Sequence, residues 1–149
     1  MGKVKRPSVD TMAHKNRTML VTVYSHLTKQ SQENYIAEFE SLAKTAGIVA
    51  VHQMFVRLRE FDPANLFGKG KLQEIIETVR EKEITDIVFS CQISPLQERN
   101  LQEMLGCTVF DRTQLILEIF EQAAHSAEGK IQVEMAWLEH LKTRLAGRG

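Results

Sequence analysis

The first two-thirds of the chain alternate between short apolar runs and stretches in which apolar residues recur every three or four positions. The short runs are rich in β-branched residues and predict four buried strands, at 19–24, 48–56, 84–89 and 108–110. The helical spacing predicts helices between them, at 31–46, 71–82 and 94–105. This alternation predicts an α/β fold, with a four-stranded parallel sheet, helices on both faces and the strand order 2-1-3-4.

The alternation stops at Thr113, and two amphipathic helices are predicted to follow. The first has its apolar face at Leu115, Ile116, Ile119, Phe120 and Ala123. The second, after Gly129, has an apolar seam at Ile131, Met135, Leu138, Leu141 and Leu145. We expect a projecting antiparallel two-helix hairpin, packed along this seam, with Trp137 beside the seam and half exposed.

Three segments follow from this pattern. Residues 1–17 carry five basic side chains and one acidic side chain without an apolar period, so a flexible basic tail is expected. Residues 18–111 form the predicted α/β subdomain. Residues 112–149 form the predicted hairpin subdomain, with a linker beginning at 147–149.

Composition describes a globular chain without a strong electrostatic preference. Hydrophobic residues make up 43% and charged residues 26%, and 19 basic residues balance 19 acidic residues. Any contact with RNA must therefore come from a local patch. No segment has the pattern of a membrane span or a signal peptide, and the two cysteines and five histidines show no metal-ligand spacing. We expect a cytoplasmic protein with reduced thiols and no metal site.

The sequence GKGK at 68–71 invites comparison with phosphate-binding loops. Gly68 and Gly70 would let backbone N–H groups approach an anion at the start of a helix. The motif is not a Walker A loop, because Leu72 stands where Ser or Thr must follow Lys71. Two interpretations stay open: an anion-binding turn, or a tight turn with two exposed lysines.

Two polar residues are placed to begin helices. Ser94 precedes Pro95 and lies three residues before Gln97, which predicts a capping box. Asp111 lies three residues before Gln114 in the same arrangement, at the carboxyl edge of the predicted sheet. The segment Asp111-Arg112 therefore predicts either an Asp–Arg pair that links sheet to hairpin or part of a binding site.

Four ordered segments carry a family resemblance: GKGKLQEI (68–75), SPLQERNL (94–101), VFDRTQLILEIF (109–120) and EGKIQVEMAWLEHL (128–141). At these spacings the chain resembles the N-terminal domain of the HflX family of ribosome-associated GTPases. The resemblance covers about the last two-thirds of the chain and extends more weakly upstream, through a strand, a helix and the dipeptide Ala46-Gly47.

The resemblance implies binding to the large ribosomal subunit and its RNA, assisting ribosome splitting or rescue. GTP and Mg would belong to a separate G domain, in cis or in trans, so this chain is expected to have no catalytic residues, no GTPase activity and no cofactor. The basic N-terminus and the end near a linker favour a cut-out domain over a stand-alone protein. The alternatives are a small α/β nucleotide- or ligand-binding regulatory domain, an interaction module that packs on a G domain, and, with weaker support, an enzyme built around Asp111 and the GKGK lysines.

The hairpin tip is the segment that the resemblance places against ribosomal RNA. Glu128, Gly129 and Lys130 match the family pattern, whereas Ala123 stands where the family prefers Arg and His125 replaces another basic position. The loss of positive charge predicts weaker attraction to RNA phosphates, and Gly129 is expected to supply the unusual backbone angles of the turn. The candidate RNA-binding residues are His125, Ser126, Glu128, Gly129 and Lys130, helped by Lys69, Lys71 and Arg112.

Overall fold

The computed structural model describes residues 16–25 and 29–146. Most of the predicted tail, His14, His26 and the predicted linker at 147–149 lie outside these ranges. The strands are β1 (Thr18–Tyr24), β2 (His52–Arg57), β3 (Asp86–Phe89) and β4 (Thr108–Phe110). The helices are α1 (Lys29–Thr45), α2 (Lys69–Glu81), α3 (Pro95–Leu105), α4 (Arg112–Ala123) and α5 (Ala127–Ala146). None of the helices in the described ranges is long and apolar enough to cross a membrane.

The four strands form one parallel sheet in the order β2-β1-β3-β4, which confirms the predicted topology. The central strand β1 pairs on both sides, so that Leu20 lies between Gln53 of β2 and Val88 of β3. Right-handed crossovers place the first strand inside such a sheet. All four carboxyl ends therefore meet at one edge, where open parallel sheets present their loops.

Each face of the sheet is covered by helices, because alternate residues of a strand point to opposite faces. One face packs α2 and α3 against the odd-numbered residues of β1, and its core includes Met19, Val21, Val23, Ile75, Ile87 and Leu101. The other face packs α1 and α4, with a core that includes Leu20, Phe39, Ala43, Val88, Phe110 and Leu115. Helices on both faces are thus confirmed.

Local signals at the helix ends are also confirmed. Ser94 Oγ accepts from Gln97 N at 3.1 Å, and Gln97 Oε1 accepts from Ser94 N at 2.8 Å. Asp111 and Gln114 form the same reciprocal box at the start of α4. Gly106 follows α3 with φ 68°, the left-handed conformation that favours glycine.

Arg17, the last residue of the predicted tail, contacts the folded domain. Arg17 Nε donates to Lys82 O at 2.9 Å, and Arg17 N donates to Thr85 Oγ1 at 2.9 Å. Arg17 is therefore tied to the segment between α2 and β3. The prediction that the flexible tail runs through residue 17 is wrong at this end.

The last two helices run in opposite directions beside the sheet. α4 begins at the carboxyl edge, and Gln122 near its end donates to Ala46 O, at the end of α1. α5 then returns, because Arg144 near its end contacts Asp111 and Ile93 at the carboxyl edge. α4 thus stays against α1 almost to its last residue, so the projection of the hairpin away from the sheet is not confirmed.

The prediction that α5 packs along its leucine-rich seam is wrong. Ile131, Met135, Leu138 and Leu145 are 60%, 64%, 43% and 66% exposed, respectively. Trp137, expected to be half exposed, is 2% exposed, and Arg144 is 7% exposed. Successive side chains of a helix point about 100° apart, so the exposed apolar row and the row that contains Trp137 lie on different sides of α5. The row that contains Trp137 and Arg144 faces the domain.

Candidate functional site

The crevice between β1 and β3 at the carboxyl edge is occupied by the protein's own polar groups. Ser90, directly after β3, accepts a 2.8 Å hydrogen bond from Val23 N on β1 and a 2.9 Å hydrogen bond from the Tyr35 hydroxyl. Burial raises the pKa of Tyr35, and the hydrogen bond with Ser90 opposes that shift. Open parallel sheets often bind ligands at this point, but here the contacts join α1 to two strands.

Arg112, a candidate RNA contact, lies beside this crevice and already has protein partners. Its Nη2 forms an ion pair with Glu38 of α1, and its Nη1 donates to Ser90 O at 3.5 Å. An arginine held by a carboxylate has fewer donors left for a phosphate. Arg112 therefore serves first to tie α4 to α1.

The strongest polar cluster at the carboxyl edge centres on Arg144, which sequence reasoning missed. Its Nη2 donates to Asp111 Oδ2 at 2.7 Å, its Nη1 donates to Ile93 O at 2.9 Å, and its Nε lies 3.3 Å from Glu98 Oε2. The side chain of Asp111 is fully buried. The predicted Asp–Arg link between sheet and hairpin therefore exists, but its arginine is Arg144 rather than Arg112.

A cavity of ≈ 360 Å³ adjoins this cluster, between the loop at 92–95 and the end of α5. His140, Thr143 and Arg144 form its helical wall. His140 Nε2 accepts from Arg144 Nε at 3.3 Å, and burial together with the charge of Arg144 lowers the pKa of His140. The neutral imidazole leaves Nε2 of His140 unprotonated, so that this atom can accept the hydrogen bond from Arg144.

The GKGK turn opens α2 as predicted, two residues earlier than expected. Gly68 is the N-cap, with φ −71° and ψ 167° and without a side-chain hydrogen bond to the helix. Lys71 forms an ion pair with Glu74 at 2.7 Å, whereas Lys69 is exposed. Neither Gly68 nor Gly70 has a heavy atom within 4 Å of an added Cβ. Anion binding at this turn stays a prediction.

The tip between α4 and α5 is held by Ser126. Ser126 Oγ accepts from Gly129 N at 2.9 Å, which is the contact of an N-cap with the third helical residue. Gly129 lies in the first turn of α5 and has no positive φ. Unusual backbone angles are therefore not its role; a Cβ there would come within 3.0 Å of Ser126 Oγ. His125, Glu128 and Lys130 are exposed around this cap.

The fold separates the predicted RNA-binding residues into three places. Lys69 and Lys71 lie in the first turn of α2, and Arg112 is the first residue of α4, directly after Asp111 at the carboxyl edge. The tip lies at the far end of α4 from Arg112, about 18 Å away at 1.5 Å per residue. RNA contact at any of these places stays a prediction.

Residues 33–121 match the family described as "GTP-binding GTPase N-terminal". The chain is similar to the GTPase HflX of Escherichia coli (strain K12), at 42% identity over 125 residues, which cover 84% of this chain and 29% of that protein. The GTPase HflX of Alkalihalophilus pseudofirmus is 44% identical over 117 residues, covering 78% of this chain and 28% of that protein. The chain thus spans less than a third of these curated relatives.

A solved structure of similar fold comes from Sulfolobus solfataricus, a GTP-binding protein in complex with GDP. It has a TM-score of 0.63 and 26% identity, over 87% of this chain and 38% of that chain. The family match covers more than half of the sequence and includes β2, α2, β3, α3 and β4. The chain therefore belongs to the GTP-binding GTPase N-terminal family, as an N-terminal domain of the HflX type.

Proposed function

We propose that this chain is a ribosome-binding domain that engages the large subunit and its RNA through the tip of the α4–α5 pair, and assists ribosome splitting or rescue. The observation that carries the proposal is the family match over residues 33–121, shared with relatives named GTPase HflX. We place the domain in the cytoplasm, where ribosomes are available to it.

The geometry of the tip supports this assignment. His125 and Lys130 are exposed beside the Ser126 cap and present donors that can reach phosphate without burial of an unpaired charge. Glu128 offsets the charge of Lys130 within the same turn. Few phosphates are therefore neutralised, and affinity falls with salt in proportion to that small number.

The same proposal assigns nucleotide hydrolysis to another domain. The GKGK turn lacks the Ser or Thr of a Walker A loop, because Leu72 follows Lys71. GTP and Mg would be bound by a G domain that acts in cis or in trans. We expect no GTP hydrolysis and no guanine-specific affinity from this chain. A low-micromolar dissociation constant for GTP, measured with a fluorescent analogue, would contradict the expected lack of guanine-specific affinity.

Co-sedimentation with isolated ribosomal subunits tests the proposal. The chain should pellet with large subunits and stay in the supernatant with small subunits. Lys130→Glu should weaken pelleting and reduce the salt slope by about one, since one phosphate contact is lost. The matched control is Lys82→Glu, at an exposed lysine directly after α2, on the opposite face of the sheet from α4. Equal losses for both variants, or pelleting with small subunits alone, contradict the proposal.

A second candidate function, binding of a small ligand, is favoured by the cavity beside His140 and Arg144. It ranks lower because the donors of Arg144 already contact Asp111, Ile93 and Glu98. A thermal-shift assay with a panel of nucleotides tests for such ligand binding, because a ligand that binds only the folded state raises the melting temperature by mass action.

A further inference from the structure

The end of α4 is tied to the end of α1 directly before the tip. Ile119 of α4 packs against the core of this face, which includes Phe39 and Ala43 of α1. About one helical turn later, Gln122 Nε2 donates a hydrogen bond to Ala46 O at 3.0 Å, across 76 residues of sequence. This hydrogen bond therefore extends the contact between the two helices almost to the last residue of α4.

The acceptor of this bond lies where a helix leaves carbonyls without donors of its own. The last carbonyls of an α-helix have no intrahelical partner. One of them, Ala43 O, accepts from Ile48 N at 3.0 Å in the turn that follows α1. Ala46 directly follows α1 and is fully buried, and its carbonyl accepts from the side chain of Gln122. An amide donor suits this place, because the carboxyl end of a helix carries partial negative charge.

The tip itself is a compact turn with hydrogen bonds of its own. Ser126 lies four residues after Gln122. Its Oγ accepts from Gly129 N at 2.9 Å, and its carbonyl accepts from Lys130 N at 3.0 Å. These bonds lie within the tip, so they fix its shape but not its direction relative to the sheet. The direction in which His125 and Lys130 are presented therefore depends on how the ends of α4 and α5 are held.

We propose that Gln122 is a positioning residue for the tip: it holds the last turn of α4 on α1, so that His125 and Lys130 are presented to RNA in one direction. Arg144, a second polar anchor of the helix pair, lies near the opposite end of α5, so Gln122 is the nearer of the two to the tip. The inference rests on the proposed ribosome binding. A surface that is already ordered loses less conformational entropy on binding, which raises affinity without an additional contact.

A matched variant separates positioning from stability. Asn100 Nδ2 donates to Ala64 O, also at 3.0 Å, and this bond is partly buried like that of Gln122. Asn100 belongs to α3, on the opposite face of the sheet from α4. Gln122→Ala and Asn100→Ala thus each remove one amide donor to a backbone carbonyl, and alanine favours the helix at both positions. Only Gln122→Ala is expected to affect the tip.

Pulsed electron paramagnetic resonance between two spin labels measures the position of the tip without a ribosome. One label is attached at Ala127→Cys in the tip, and the other at Gln73→Cys, an exposed position on α2. The raised pKa values of the two native cysteines keep their labelling slow. The native tip should give one narrow distribution of distances. Gln122→Ala should broaden that distribution, whereas Asn100→Ala should leave its width unchanged.

Titration with large ribosomal subunits measures the consequence for binding. Gln122→Ala should raise the dissociation constant about fivefold, the equivalent of one ordinary hydrogen bond. Asn100→Ala should leave the dissociation constant unchanged. The salt dependence distinguishes positioning from direct contact: Gln122→Ala should leave the salt slope unchanged because no phosphate contact is lost, whereas Lys130→Glu should reduce it by about one.

Three results overturn the role of Gln122 when the native chain binds large subunits. The first is a distance distribution that Gln122→Ala does not broaden. The second is an affinity that Gln122→Ala leaves unchanged, or that Asn100→Ala lowers equally, which would assign the effect to stability. The third is a reduced salt slope in Gln122→Ala, which would assign the effect to a direct RNA contact. Failure of the native chain itself to bind large subunits is a different result, and it overturns the proposed function together with this role.

Discussion

Replacement of Arg144 by leucine removes the side chain that joins α5 to the carboxyl edge of the sheet. The substitution leaves Asp111 fully buried without its 2.7 Å ion pair and Ile93 O without its 2.9 Å donor. Breaking one partner out of a buried ion pair costs about 3–5 kcal/mol. Asp111 keeps hydrogen bonds from Gln114 N at 3.0 Å and Ile93 N at 3.3 Å, so we expect the lower end, about 3 kcal/mol.

A loss of this size is large against the roughly 5–15 kcal/mol that stabilises a typical domain. In a chain of this length it corresponds to a fall in melting temperature of about 6–12 °C. Urea titration followed by circular dichroism gives the free energy of unfolding directly. Arg80→Leu is the matched control, at an exposed arginine in the last turn of α2, with an expected change within about 0.5 kcal/mol.

A double-mutant cycle separates the ion pair from general packing. Asp111→Asn retains an oxygen that can cap α4, but it removes the charge that Arg144 neutralises. In the Arg144→Leu background it should therefore be less destabilising than in the native background, with a coupling of about 1–3 kcal/mol. An Arg144→Leu cost below about 1 kcal/mol, or strictly additive effects, would falsify the reasoning about a buried ion pair.

Three further predictions follow from single residues. Burial lowers the pKa of His140 in the folded state, so the unfolded chain binds the imidazole proton more readily. The contribution of His140 to the free energy of unfolding should be complete above the pKa of the unfolded chain, about 6.5, and should decline as pH falls below it. His140→Gln should flatten that decline in urea titrations at several pH values. Burial raises the pKa of Cys91 to about 11, with a smaller contribution from the charge of Asp111, and raises the pKa of Cys107 to about 12, with a smaller contribution from Asp86. Alkylation by iodoacetamide at pH 8 should therefore be about 100-fold slower at Cys91, and about 1000-fold slower at Cys107, in the native protein than in urea. Comparable rates in the two conditions would contradict this. Gly106→Ala should cost about 1–2 kcal/mol in urea titration, because Gly106 has a φ of 68°. The control is Gly70→Ala, within α2 and without a positive φ, where an added Cβ meets no heavy atom within 4 Å.

The strands and helix starts could be predicted because their signals are local. Ser94 and Gln97 are three residues apart and form the predicted capping box, and the same holds for Asp111 and Gln114. The apolar run that forms β1 is buried whatever helices cover it. Sheet order then followed from the handedness of the crossovers.

The orientation of α5 could not be predicted in this way, because the side of the helix with the regular apolar spacing is not the side that is buried. Periodicity favours the row with Leu138 and Leu145, while the row that is buried contains His140 and Arg144. Arginine is buried when it finds partners, and the partner Asp111 lies 33 residues earlier in the chain. That pairing forms only at the folded edge of the sheet, so the sequence predicted a link between Asp111 and an arginine but assigned it to Arg112 instead of Arg144.

The most direct test of ribosome binding by the tip is cleavage of RNA from a tethered iron–EDTA probe. The probe is attached at Ala127→Cys, an exposed position beside the Ser126 cap, or at Gln73→Cys, an exposed position on α2, on the opposite face of the sheet from α4. The raised pKa values of Cys91 and Cys107 keep the native thiols poorly reactive during labelling. Localised cleavage of large-subunit RNA is expected from residue 127, and little cleavage is expected from residue 73. Equal cleavage from both positions, or none from residue 127 when the chain is bound to the subunit, contradicts this expectation.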